Sequence, residues 1–118
     1  MNLLEKQQKF TESFSKLIQF AISKGFKVVI GEVERSKAQA IANAKAGVGI
    51  KNSLHLIRLA GDLHLFKDGK YLDKSEDHRD LGKFWEGLST PEAKHRWGGR
   101  FIGRPDGNHY SVEHEGRA

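Results

Sequence analysis

The sequence contains no cysteine. That absence removes disulfides, thiolate nucleophiles, iron–sulfur clusters and thiolate zinc sites together. Any metal site must therefore be built from His, Asp and Glu. Long apolar runs are missing too, and none approaches the roughly 20 residues that span a bilayer. The start, MNLLEKQQKF, lacks a basic region leading into an apolar one. It does not read as a signal peptide, so synthesis and retention in the cytoplasm are expected. Three common catalytic signatures are absent: the H-E-x-x-H metallopeptidase helix, the G-x-S-x-G elbow and the Walker loop. No internal repeat, low-complexity tract or linker interrupts the chain.

What is present suits one folded unit. The 118 residues are a length for a single domain, 1–118, with one core. A composition 37% hydrophobic and 30% charged is that of a soluble globular protein. The net charge of +5 and pI near 9.6 suit an anionic partner: nucleic acid, an anionic membrane surface or a cell-wall polymer. The same charge also serves solubility alone.

Apolar residues recur at helical spacing over 2–24 (Leu3, Phe10, Phe14, Leu17, Ile18, Ala21, Ile22), and Gly25 is positioned as the stop. FKVVI at 26–30 reads as a strand. Ser36 is placed to cap a helix over 37–46, ended by Gly47. AGDLHLF alternates like a strand, and Asp68-Gly69 signals a turn into a short return arm. Ser75 is placed to cap a helix whose buried stripe is Leu81, Phe84, Trp85 and Leu88. STPEAKH reads as a short helix beginning at Pro91. RWGGRF and NHYSV read as strands joined by a turn-rich loop, with a loose tail. Helices mixed with antiparallel strands, without a βαβ rhythm, predict an α+β fold: a small antiparallel sheet flanked by helices.

The polar residues in SLHLIRLAGDLHL, at 53–65, interrupt an otherwise apolar run. His55 and Asp62 lie there, and DGNH places Asp106 three residues before His109. A catalytic zinc takes three protein ligands and keeps one position open. Two imidazoles and a carboxylate meet that requirement, and a separate carboxylate can move the proton. His55, Asp62 and His109 are then candidate ligands and Asp106 the candidate base. Residues alone leave another reading open, in which the histidines are surface groups and Asp106 serves an Asp-Gly turn. His55 and Asp62 also have opposite parity on an ideal strand, so they converge only if the chain bends between them.

At these positions the sequence resembles the VanY-type D-alanyl-D-alanine zinc peptidases, which include small phage endolysins that cut L-alanyl-D-glutamate bonds. Ser53, His55, Ala60 and Asp62 fall on that family's S-x-H-x(4)-A-x-D signature. Asp106 and His109 fall on its acidic-x-x-His motif, and HRWGGRF resembles the W-G-G segment of phage members. The match runs from about Arg35 to Ser111. The resemblance implies a Hedgehog/D,D-peptidase-like fold and one Zn2+ per chain, held by His55, Asp62 and His109. It implies Asp106 as the catalytic base. Arg35 is similar in setting to an arginine that binds substrate or oxyanion in family members; a surface arginine at a helix start is the other reading. Ser53 and Arg58 are carried as substrate-binding candidates, although the family often has glycine where Arg58 stands. Trp97 and Tyr110 are candidates for walling the cleft or for the core. His64 shares a strand face with Asp62 but is not a ligand position of the motif.

The activity implied is cleavage of a peptidoglycan stem-peptide bond by a monomeric endolysin, released to the wall through a holin. A D,D-carboxypeptidase is the alternative within the family. Outside it stand a nucleic-acid-binding protein, not the expected partner class here, and a non-catalytic wall-binding module.

Overall fold

The computed structural model describes residues 1–36, 38–39, 41–42 and 53–118. The chain starts with helix α1, Leu3–Ser23, closed at its N-terminus by a reciprocal capping box. Asn2 Oδ1 accepts from the Glu5 N–H at 2.8 Å, and Glu5 Oε1 accepts from the Asn2 N–H at 3.0 Å. Gly25, at φ 90°, ends the helix as its position in the sequence predicts. Of the helix expected over 37–46, only 38–39 and 41–42 are described, and they are helical; the rest, and the loop to residue 52, lie outside the described residues.

Strands β1 (Lys27–Ile30), β2 (Ala60–Lys67), β3 (Lys70–Leu72), β4 (His95–Trp97) and β5 (His109–Val112) form one antiparallel sheet. Its order is β1-β2-β5-β4, with β3 also on β2. Strand β2 is the spine. β1 pairs along one edge, while β5 takes residues 60–62 and β3 takes 65–67 of the other. The Asp68-Gly69 hairpin is as expected, with Asp68 at φ 52° and Gly69 at φ 77°. Helix α2, Arg79–Glu86, follows a 3-10 turn at Ser75–His78.

The alternation of β2 decides which face of the sheet is dry. A Cβ at Gly61 would touch the Phe10 and Phe14 rings at 3.0–3.1 Å, so Gly61, Leu63 and Leu65 face α1. Trp85 of α2 sits at the centre of this core, edge-on to Phe10, Phe14 and Tyr110. Truncating a buried aromatic of this kind costs about 3–5 kcal/mol. Asp62 and His64 consequently point to the opposite face. The fold is α+β, a small antiparallel sheet with helices, as the sequence pattern predicts.

Four local expectations fail. RWGGRF is a strand only as far as Trp97, because Gly98–Arg100 turns as a 3-10 helix. STPEAKH is a tight turn rather than a helix: Thr90 and Ala93 exchange backbone hydrogen bonds, and Thr90 Oγ1 also accepts from the Ala93 N–H. Ser75 does not cap the helix after it. Asp77 accepts the Lys74 N–H instead, which frees the Ser75 hydroxyl for a longer-range contact. The tail is not loose: His114 and Arg117 close a turn, and Lys6 Nζ meets His114 Nδ1 at 3.1 Å. Among the described residues no helix is long and apolar enough to cross a membrane.

Candidate metal centre

Antiparallel register places Asp62 of β2 directly opposite His109 of β5. Directly paired residues project to the same face, so the acid and imidazole share the face away from α1. His55 arrives from outside the sheet, on the 3-10 turn Leu54–Ile57. Ser53 Oγ caps that turn by accepting the His55 N–H at 3.2 Å. Arg58 then takes left-handed backbone angles, φ 56° and ψ 38°, before the strand begins. This is the bend that lets two residues of opposite strand parity meet. It also explains why glycine suits position 58, since a side chain is disfavoured in that conformation.

The three side chains converge. His55 Nε2 lies 3.5 Å from Asp62 Oδ1, and His109 Nδ1 lies 3.7 Å from the same oxygen. One donor atom from each residue falls within 4.8 Å of the others. Donors at 2.0–2.2 Å from a tetrahedral ion are about 3.3–3.6 Å apart, close to this spacing. Asp62 Oδ1 and His109 Nε2 are buried without hydrogen-bond partners. Orphaned buried polar atoms are costly, and a cation held among these donors would satisfy the carboxylate oxygen. His55 Nδ1 sits 3.3 Å from the Val33 carbonyl. Donation there fixes the tautomer and turns the Nε2 lone pair toward Asp62. Burial raises the Asp62 pKa, but the facing His109 and His55 imidazoles outweigh it and hold the carboxyl at about 2. The acid is therefore ionised at neutral pH. The donor set, geometry and charge fit a metal ion.

Asp106 is placed by contacts remote in sequence. Its N–H donates to the Gly98 carbonyl at 2.9 Å, and its own carbonyl accepts from His109 N–H at 3.1 Å. A Cβ at Gly98 would lie 2.0 Å from the Asp106 carbonyl oxygen, so only glycine permits this seat. Gly107 is gripped on both sides: its N–H donates to Ser75 Oγ at 2.9 Å, and its carbonyl accepts the Trp97 indole N–H at 2.7 Å. Burial raises the Asp106 pKa; the His109 charge opposes the shift and Asp62 adds to it. A carboxyl so shifted is a better proton acceptor than one at its ordinary value.

A cleft of about 400 Å³ opens over these groups. Arg35, Ser53, His55, Asp62, Asp106 and His109 all line it, so one cavity gathers six of the nine sequence candidates. The other three lie elsewhere. Arg58 is exposed and paired with Glu34 at 2.9 Å, because its left-handed backbone turns the side chain away from the cleft. Trp97 is 5% exposed and anchors the Gly107 carbonyl rather than walling the cavity. Tyr110 follows His109 on β5 and so points to the opposite face, into the core. Its hydroxyl meets His78 Nδ1 at 2.7 Å. His64 stands outside the ligand cluster, 3.3 Å from the Tyr71 hydroxyl.

Sequence reading missed four participants. Glu32 accepts the Arg35 Nε–H at 2.7 Å and lies 3.7 Å from His55 Nδ1, tying the arginine to the first histidine. The spacing E-x-x-R was the available signal. Val33 acts through its carbonyl, which no side-chain pattern reveals. Phe101 and Arg104 line the cleft from the loop after β4.

No family model matches the chain, and no curated protein matches it. Among solved structures, the chain is similar in fold to the crystal structure of Serratia marcescens L-Ala D-Glu endopeptidase ChiX. The TM-score is 0.69 at 18% identity, over 92% of this chain and 84% of that one.

Proposed function

We propose that this chain is a zinc peptidase that cleaves a stem-peptide bond of bacterial peptidoglycan, as an L-alanyl-D-glutamate endopeptidase of the endolysin type. The observation that carries this reading is the convergence of His55, Asp62 and His109 with Asp106 inside one cleft. The fold likeness to a structure described as an L-Ala D-Glu endopeptidase supports the substrate class. Single-domain organisation over 1–118, a monomeric state and holin-dependent release belong to the same proposal.

His55, Asp62 and His109 would hold the zinc. A bound zinc polarises a carbonyl and lowers the pKa of water toward neutrality. Asp106 takes the proton from the attacking water and returns it to the leaving amine. Arg35, fixed by Glu32, places a guanidinium where negative charge develops on the scissile carbonyl oxygen. Ser53 orders the His55 turn and presents its hydroxyl side to substrate in the same cleft.

Metal analysis joined to a murein-lysis assay tests the reading. About one zinc per chain is expected, with lysis abolished by a chelator and restored by zinc. Protein that purifies without metal, and lysis indifferent to chelator, would sink it. Product analysis separates the two peptidase activities: a new N-terminal D-glutamate marks the endopeptidase, and free D-alanine marks the D,D-carboxypeptidase.

A further inference from the structure

Two guanidiniums line the cleft, and they differ in what they already hold. Arg35 is half-buried and engaged by Glu32. Arg104 is exposed, two residues before Asp106, and has no hydrogen bond or ion pair among the described residues. Its charge nevertheless reaches the Asp106 carboxyl. An uncommitted cation beside the group that protonates the leaving amine faces one part of the substrate: the residue that carries that amine.

The chemistry of that residue is definite once the peptidase reading is accepted, and the inference rests on that reading. In the stem peptide the D-glutamyl nitrogen is acylated by L-alanine, and the chain continues through the γ-carboxyl. The α-carboxyl stays free on the carbon bonded to the leaving nitrogen. A D-alanyl-D-alanine terminus carries a carboxylate at the same place. One N–Cα and one Cα–C bond separate that carboxyl carbon from the scissile nitrogen, a span of about 2.5 Å. When Asp106 reaches the nitrogen, the carboxyl carbon lies within about 2.5 Å of that nitrogen, inside the cleft that Arg104 also lines. A guanidinium fork matches a carboxylate bidentately, whereas a neutral carboxamide can accept from it through one oxygen only.

We propose that Arg104 is the specificity-determining residue that binds the free α-carboxylate of the leaving residue. The enzyme would thereby select D-glutamyl stems over stems amidated at that carboxyl. Arg35 remains with the carbonyl side of the bond, so the two arginines divide the substrate between them.

Two synthetic L-alanyl-γ-D-glutamyl peptides, identical except for an α-carboxylate or an α-carboxamide, provide the test. The wild-type protein with zinc should prefer the carboxylate by at least ~10-fold in kcat/KM, as loss of a charge-assisted contact implies. Arg104→Gln should reduce that preference below ~3-fold, and Arg104→Lys should keep part of it. The amine products, which bind without turnover, should show the same preference by calorimetry, and Arg104→Gln should remove it. Cleavage of both peptides at equal rates by the wild type, or a preference that survives Arg104→Gln, overturns the assignment alone. A wild-type protein that cleaves and binds neither peptide overturns the peptidase reading and this assignment together.

Discussion

The indole N–H of Trp97 donates to the carbonyl of Gly107 at 2.7 Å, one residue from Asp106 and two from His109. A tryptophan 5% exposed thus acts on the site without lining it. Trp97→Phe keeps a ring against Gly82, gives up the benzo edge that lies against Gly99, and leaves the Gly107 carbonyl unpaired. The expected cost is about 1–3 kcal/mol of stability. Metal affinity should fall about tenfold, because His109 loses a support of its turn. Thermal melts and competition against a chromophoric chelator measure both. A rise in KM with metal affinity intact would return Trp97 to the substrate wall.

Much of this arrangement was legible in the sequence, and the illegible part has a common cause. Helix α1 and strand β2 announce themselves because each buries one face, which stamps a period on the residues. His55 and Asp62 stand out as polar groups in an apolar run, but pattern alone leaves Asp106 as a turn residue and His109 as a surface group; only the resemblance to family motifs joins the four. Ser75, by contrast, looks like a helix cap, and its true partner is the Gly107 N–H, 32 residues away. STPEAKH carries a helix-start pattern, yet Thr90 satisfies Ala93 at shorter range. Trp97 and Tyr110 are adjacent to site elements in sequence, but alternation along the strands turns both away from the cleft. Arg104 has no local signature, since nothing in IGRPDG separates a cleft arginine from a loop arginine.

Arg58 occupies a left-handed position for which its side chain is poorly suited. Relief of that conformation is worth about 1 kcal/mol. Arg58→Gly also loses the exposed Glu34 pair, about 0.2–1 kcal/mol, and gains unfolded-state entropy. These contributions largely offset, and a net stabilisation of at most about 0.4 kcal/mol is expected, together with unchanged metal affinity. Arg58→Ala, which loses the pair but keeps a Cβ, should be no more stable than the wild type. Chemical denaturation of the three proteins decides. Equal stability of the glycine and alanine variants would show that backbone conformation is not the controlling factor.

His78 is 2% exposed, and burial lowers its pKa from 6.5 to about 4. Its neutral ring shares the hydrogen bond with the buried Tyr110 hydroxyl. Between pH 6.5 and 4 the unfolded chain binds the His78 proton and the folded chain does not. Stability must therefore rise with pH across that window and fall as acid is added. The His78 contribution between pH 7 and 5 is about 2 kcal/mol lost on acidification. His78→Gln should be less stable at pH 7 yet show a shallower decline toward pH 5. Urea denaturation of both proteins at several pH values measures the difference. Parallel declines would exclude His78 as a source of the acid sensitivity.

The roles proposed for His55 and Asp106 separate under substitution. His55→Ala removes one of three donors but leaves Asp62 and His109 opposed across the strands. Metal binding should weaken strongly, and with it the added stability that metal confers on the folded state. The melting temperature of that variant should then barely respond to zinc, whereas the wild type should gain several degrees. Asp106→Asn is nearly isosteric and keeps the Gly98 and His109 backbone contacts, which involve no carboxylate atom. It should bind zinc and gain the wild-type thermal shift, yet lose at least ~100-fold in murein hydrolysis, the scale of a missing proton carrier. Wild-type hydrolysis by Asp106→Asn would exclude the residue as the base. Loss of zinc from the same variant would instead place its carboxylate among the ligands.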